Sequence, residues 1–324
     1  MNAPRTRVQR RPVHGVLLLD KPLGLSSNQA LQKAKWLLRA EKAGHTGTLD
    51  PLATGVLPLC FGAATKFSQA HLDADKVYET TVRLGVQTDT ADAEGAVLQT
   101  RPVNCSLGQV VEVLDRFTGP IAQVPPMHSA LKKDGKALYE YARQGEVIER
   151  EARTVTSHDL ELLSCWLPGM ASAEPNPVPH LRLRVHCSKG TYIRTLGEDI
   201  GAALGCGAHL SALRRVRTGD FDVAQCTTLE ALEALPEAQR VQTLQPVDVL
   251  LGESPCITLP ANEAGRFLSG LRRRGSWPDA AQVRVYGEAP RALLGSAHVR
   301  AGELIPTRLL SPVEVQQILE CSPA

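Results

Sequence analysis

The stretch richest in chemistry is Gly44-His45-Thr46-Gly47-Thr48-Leu49-Asp50-Pro51-Leu52-Ala53-Thr54-Gly55. Asp50 is its one ionised group, and His45 is the one titratable neighbour. Gly44, Gly47 and Gly55 permit backbone conformations that other residues resist. Pro51 pushes Asp50 out of the α region toward an extended conformation. Thr46 and Thr48 can bond to nearby backbone. The apolar segment Val56-Leu57-Pro58-Leu59-Cys60-Phe61 follows at once. The pattern is a shaped loop feeding a buried strand, with a single carboxylate at its mouth. Such a carboxylate can attack or stabilise an electron-poor centre. The same residues also fit a plain turn, because Asp before Pro among glycines is a turn signal. On local chemistry alone both readings stand.

Other side chains qualify as partners. Lys21 sits in the turn Asp20-Lys21-Pro22-Leu23-Gly24, as a surface lysine, a phosphate contact or a support for the site. Tyr78 falls on the more apolar face of an alternating run, 76–84, with Thr80, Val82 and Leu84. That fits a core tyrosine with a polar tip. The run Asp89-Thr90-Ala91-Asp92-Ala93-Glu94-Gly95 invites a calcium-loop reading. It fails, since the third and fifth positions are alanine. An acidic hairpin turn fits better, with Asp89 as a secondary candidate for supporting the site loops. Arg194 and Glu198 are four apart and can pair on a helix surface.

These residues need elements to position them. Residues 16–19 form a short buried strand. Ser26 and Gln29 fit a capping box, and Ala30, Leu31, Ala34, Leu37 and Leu38 give helical spacing. Strands are predicted over 76–84 and 181–187, the latter alternating Leu181, Leu183, Val185 and Cys187 with Arg182, Arg184 and His186. Another runs over 208–217 and ends in a basic cluster, Arg214, Arg215 and Arg217. Between 124 and 153 lies a Pro-bounded insertion with Lys132, Lys133, Lys136, Arg143, Arg150 and Arg153. Such a segment suits phosphate contacts on RNA, although Glu140, Glu146, Glu149 and Glu151 offset its charge. Thr227 and Glu230 are spaced to cap a short helix, and residues 244–254 read as a linker. Short strands and one helix then fill 256–310. The expected organisation is a basic tail over 1–13, a catalytic domain over 14–248 and a small β-rich domain over 249–324.

The 324 residues suggest two domains. The net charge of +2 announces no nucleic-acid partner for the chain as a whole, so an RNA-binding face must come from local clustering. The eight cysteines are scattered without a C-x-x-C pair, which indicates neither a zinc site nor a disulfide framework. There is no signal-peptide pattern and no run of 18 apolar residues, so no membrane span is expected and cytoplasm is the default compartment.

The strings G-H-T-G-T-L-D-P-L-A-T-G-V-L-P, D-K-P-x-G-x-S-S, K-x-Y, D-T-x-D-x-x-G and K-G-T-Y-I-R-T-L resemble, in order, the motifs of the TruB family of tRNA pseudouridine synthases. The resemblance is strong over 14–220 and looser beyond. It implies an α+β fold: a mixed, largely antiparallel central sheet flanked by helices and loops, with a small β-rich PUA-like domain after it. It also implies isomerisation of uridine 55 in the T-loop of tRNA to pseudouridine, by a monomer using neither cofactor nor metal. Carried over residue by residue, Asp50 is the nucleophile, Arg194 its ion pair, and Tyr78 the ring that stacks on the flipped base. His45 buttresses the space vacated in the RNA. Tyr192 and Leu213 shape the pocket, Lys21 supports the substrate, and Asp89 and Lys132 are secondary. Two alternatives remain for this sequence: a non-catalytic RNA-binding or tRNA-folding protein on the same fold, and a two-carboxylate glycosidase with Asp89 as the second acid.

Overall fold

The computed structural model describes residues 9–173 and 175–321. A ten-stranded mixed sheet dominates residues 15–228. Its first strands are β1 (Gly15–Lys21), β2 (Ala43–His45), β3 (Ala53–Phe61) and β4 (Lys76–Leu84). From one edge the order is Thr227–Thr228, β1, β3, Ala208–Thr218, β4, His180–Cys187, Arg153–Trp166 and Gly119–Gln123. Most neighbours are antiparallel. The two exceptions on this path are β3 beside Ala208–Thr218 and β1 beside Thr227–Thr228. The fold is α+β, as the sequence implied.

Strands β1 and β3 read as unbroken apolar runs because both of their faces are covered. Leu17, Leu19, Leu57, Leu59 and Phe61 enter one core, which also receives helix α1 (Ser27–Leu37) and Ile193–Ala203. Val16, Leu18, Val56 and Cys60 enter a second core on the opposite face. Alternate residues thus serve different cores, the period of two that a pleated strand imposes.

The second core is closed by the C-terminal unit. This unit is a five-stranded sheet ordered Cys256–Leu259, Ala280–Glu288, Arg291–Arg300, Glu303–Leu309 and Arg273–Arg274. Tyr286, Leu293 and Leu310 pack with Val16 and Val56. Lys66 joins the two units by donating to Leu309 O at 3.0 Å and pairing with Glu314. The segment read as a linker is part of this joint. Val247–Leu251 forms a 3-10 turn with Val247, Leu250 and Leu251 buried in the second core. Their spacing places all three on one side of a tight turn, so burial prevails over looseness. The helix predicted to be capped by Thr227 begins at Leu229 and is capped one residue later, with Thr228 Oγ1 accepting from Ala231 N–H at 3.1 Å. Among the described residues no helix is long and apolar enough to cross a membrane.

Candidate active site

The loop that carries Asp50 is held from several directions. β2 lies antiparallel to β3, with His45 opposite Leu59, so residues 46–52 form a closed excursion between paired strands. Thr46 N–H donates to Pro58 O at 3.1 Å, and Ala53 N–H to Asp50 O at 3.0 Å. Buried Ser27, at the start of α1, holds the loop twice: its hydroxyl accepts from Leu49 N–H at 2.7 Å and donates to Leu49 O at 3.0 Å. Gly24 N–H donates to Pro51 O at 2.9 Å. These bonds give D-K-P-x-G-x-S-S a physical task. Gly24 and Ser27 clamp the Asp50 loop, while Ser26 caps α1 in the expected box with Gln29. Asp20, in the same motif, takes a two-pronged contact from Arg214 at 3.0 and 2.7 Å.

Asp50 Oδ2 lies 2.9 Å from Arg194 Nε. Arg194 opens the helix Ile193–Ala203 and does not pair with Glu198, which accepts from Gln87 Nε2 at 2.9 Å. The rest of the guanidinium is also engaged. Nη1 donates to Thr90 O at 3.1 Å and Nη2 to His128 O at 2.6 Å. Nη1 also stands 3.6 Å from Asp92 Oδ2. Asp92 is buried, and its Oδ1 accepts from Thr90 Oγ1 at 2.6 Å and Glu94 N–H at 3.0 Å. One arginine therefore ties Asp50 to the 89–95 turn. Asp92 is the acid it meets there. Asp89 instead accepts from Ala96 N–H at 2.9 Å and shapes the turn. The Asp50 side chain is 38% exposed, yet protein crowds it closely enough that burial is the leading influence on its carboxyl. Burial pushes the carboxyl up from its ordinary value, Arg194 pulls it down, and Asp92 pushes it up.

This ion pair borders a cavity of about 620 Å³. Tyr78, Leu213, Tyr192 and Arg215 contribute to its walls, and residues 128–131 at the start of the basic insertion form another side. The sheet register explains the convergence. Leu213 pairs with Ala53 on one side and Thr80 on the other. Arg215 pairs with Gly55 and Tyr78. Residues 213 and 215 thus share one face between the Asp50 strand and the Tyr78 strand. Gly55 is required by this approach: its φ is +100°, and a Cβ there would stand 2.1 Å from Arg215 O.

The remaining predicted residues are placed as follows. Tyr192 Oη is half-buried in the wall, and its backbone is clamped by Gln123, which accepts from Tyr192 N–H at 3.0 Å and donates to its carbonyl at 3.2 Å. His45 lies outside the cavity lining, with Nδ1 2.7 Å from Gly47 O. Burial lowers its pKa, so the ring is neutral at pH 7. Lys21 is completely buried, so the surface-lysine reading fails. Its ammonium donates to the carbonyls of Pro22 and Leu25, and burial lowers its pKa to about 8. So placed, it supports the loop and presents nothing to a phosphate. Lys132 is exposed on a small hairpin with Lys133, Lys136 and Ala137, well suited to a solvent-side contact. Asp92 and Arg215 were not singled out. Only the period-two link between Leu213 and Arg215 signalled either. Among the described residues, no cluster of three or more His, Cys, Asp or Glu is placed to hold a metal ion.

The chain was compared with known proteins. Residues 35–193 match the model of the TruB family pseudouridylate synthase N-terminal domain. Residues 194–252 match the tRNA pseudouridylate synthase B C-terminal domain, and 255–310 match the pseudouridine synthase II TruB C-terminal domain. The tRNA pseudouridine synthase B of Verminephrobacter eiseniae is 62% identical, over 99% of this chain and 96% of that one. The protein of the same name from Cupriavidus pinatubonensis is 57% identical, over 94% and 96%. Among solved structures, a Cbf5-Nop10-Gar1 complex aligns at a TM-score of 0.64 and 25% identity, covering 99% of this chain and 85% of that one. A chain of the archaeal box H/ACA sRNP Nop10-Cbf5 complex aligns at a TM-score of 0.67 and 22% identity, covering 96% and 91%, and shares the fold. The family motifs, the sheet that gathers them around Asp50 and the full-length identity agree: the chain belongs to the TruB family of pseudouridylate synthases.

Proposed function

We propose that the protein isomerises uridine 55 in the T-loop of tRNA to pseudouridine, with Asp50 as the nucleophile. The observation that carries this reading is the Asp50–Arg194 pair, 2.9 Å long, at a cavity walled by Tyr78 and Leu213. The reaction breaks N1–C1′, turns the base and bonds C5 to C1′. Mass and oxidation state are unchanged, so the stoichiometry calls for no cofactor. It calls for an ionised carboxylate where burial would otherwise neutralise it, and Arg194 opposes that neutralisation. The uridine must leave its stack, at a cost of a few kcal/mol, offset by stacking on Tyr78 and contact with Leu213. Tyr192 shapes the pocket. His45, on its neighbouring strand, fills the space left in the RNA. Lys132 and the basic insertion contact phosphates, Lys21 and Asp89 hold the site loops, and the PUA-like unit adds RNA contact. The protein works as a monomer in the cytoplasm.

The glycosidase alternative is disfavoured by Asp92, the acid nearest the pair. One of its oxygens holds the turn and the other faces Arg194, while Asp89 accepts from Ala96 N–H, so neither stands ready as the second acid. The test is to treat an unmodified tRNA transcript with the protein, digest it to nucleosides and map the modified position by carbodiimide-dependent reverse-transcription stops. Pseudouridine confined to position 55 is expected. Modification elsewhere, or free uracil beside an abasic RNA, would contradict the proposal.

A further inference from the structure

One wall of the cavity holds a charge that the chemistry so far has not used. Arg215 is 1% exposed and is the largest of the fully buried side chains. Its Nε donates to Val56 O at 2.7 Å, while its Nη2 is buried with no acceptor. No ion pair among the described residues includes it, although neighbouring Arg214 and Arg194 each have a carboxylate. An arginine stays charged wherever it sits, and burying a cation without a partner is costly. Retained at a pocket wall, such a group points to a role in the reaction.

Its closest functional neighbour is Tyr78, the residue paired with it across the sheet. Both side chains line the same cavity: burial pushes the Tyr78 phenol up from its ordinary value, and the Arg215 guanidinium beside it pulls it down. Moving a glycosidic bond from N1 to C5 requires two proton movements. N1 keeps the electron pair of the broken bond and must gain a proton. After C5–C1′ forms, C5 must lose its hydrogen as a proton, and the C–H pair restores the ring double bond. A group that gives one proton to N1 and later takes one from C5 balances both steps with no outside acid or base. A phenol can do this only where its phenolate is tolerated in between.

We propose that Arg215 is a positioning residue for Tyr78: its unpaired guanidinium holds the phenol oxygen and carries the counter-charge while Tyr78 gives its proton to N1 and recovers one from C5. This rests on the isomerase reading above. The surrounding groups suit that task. Facing Arg215 are Lys21 at the end of β1, His45 on β2, His71 on the helix Ser68–Leu72, Lys76 on β4, and Cys226. Facing Tyr78 are Cys187 on the strand His180–Cys187 and Asp50. Burial drives Lys21 and Lys76 down to about 8 and His71 to about 4, and drives the Cys187 and Cys226 thiols up to about 12.

The test is single-turnover loss of tritium from uridine C5 by wild type, Arg215→Gln and Arg215→Lys between pH 6 and pH 10. RNA affinity and thermal melting serve as checks on folding. At neutral pH, Arg215→Gln should be slower by about a hundredfold or more, with RNA affinity unchanged. Tyr78 must start as the phenol to give its proton to N1, and burial pushes that phenol above its ordinary value, so the deficit should persist from pH 6 to pH 10. Arg215→Lys, which keeps a charge, should fall between the two. Lys21 and Lys76 each feel the Arg215 charge, so Arg215→Lys, which keeps that charge, is the reference for their titration. A folded Arg215→Gln with the wild-type rate, or an Arg215→Lys no faster than Arg215→Gln, would overturn the proposal. Failure of both variants to fold would make Arg215 a structural residue and overturn it as well. Wild type that releases no tritium would instead remove the isomerase reading itself.

Discussion

Replacing Arg194 with lysine keeps a cation in the pocket and removes the fork. The native guanidinium reaches Asp50 Oδ2 at 2.9 Å through Nε, Thr90 O at 3.1 Å through Nη1, and His128 O at 2.6 Å through Nη2. A lysine ammonium is a single point on a flexible stem. It can serve Asp50 or the carbonyls, not all three. A buried acceptor left without its donor costs about 1–3 kcal/mol, so two orphaned carbonyls cost roughly 3 kcal/mol. At about 2 °C per kcal/mol for a chain of this size, the melting temperature should fall by about 6 °C. If the ammonium settles on the carbonyls, Asp50 loses a charge-assisted hydrogen bond worth about 1.5–3 kcal/mol. At tenfold per 1.4 kcal/mol, the single-turnover rate should then fall about 10- to 150-fold. Thermal melting and tritium release on the same preparation measure the two effects. A lysine variant that melts like wild type and reacts at the wild-type rate would show that charge alone suffices and that the fork is irrelevant.

Two further predictions concern the frame around the site. Gly55→Ala should cost about 4 kcal/mol or more, because the new Cβ meets the Arg215 carbonyl and no side-chain rotation relieves it. Gly265→Ala is the matched control: it lies in the helix Ala261–Leu268 with open space around it and should stabilise by about 0.5–1 kcal/mol. Melting curves of the two variants decide the point, and equal effects would refute the close-approach argument. The second prediction is pH-dependent. Burial, helped by neighbouring Glu198, raises Asp199 to about 6. A carboxyl with a raised folded-state pKa favours folding below its unfolded value, and that contribution is lost as pH rises through about 6. Asp199→Asn should therefore gain melting temperature over wild type at pH 7.5 and lose that advantage at pH 4. A difference independent of pH would contradict the assignment.

Much of this architecture is written in local patterns. α1, β4, His180–Cys187 and Ala208–Thr218 follow from apolar periodicity, because one face of each meets a core, while β1 follows from its unbroken apolar run between two cores. Arg153–Trp166 is harder to see. Its residues are largely half-exposed, and register shifts near Ser157 and Leu162 break the alternation. The helix Leu107–Arg116 carries a capping box, Ser106 with Gln109, of the same kind as that of α1. The helix Pro312–Cys321 follows Ser311, which with Glu314 offered a similar signal. The site divides in the same way. Asp50 stands out through its own neighbours. Asp92 does not, because its importance depends on an arginine 102 positions later in the chain. The cluster Arg214, Arg215 and Arg217 reads as one basic patch. The pleat sends Arg214 to Asp20 and Arg215 into the pocket, and a register shift between Arg215 and Arg217 leaves Arg217 in solvent. Charge counting sees three cations where strand geometry makes three different environments.

The central claim is that Asp50 drives an isomerisation at uridine, and the most direct test uses a tRNA T-arm transcript tritiated at uridine C5. Wild type and Asp50→Asn are mixed with it in chelator, and tritium passing into water is counted beside RNA affinity. Forming the C5–C1′ bond must expel that hydrogen. Release by wild type, absent in an Asp50→Asn variant that still binds the RNA, is the predicted result. Substantial release by Asp50→Asn would contradict the assigned nucleophile. Tight binding with no release by wild type would make the protein an RNA-binding or tRNA-folding factor.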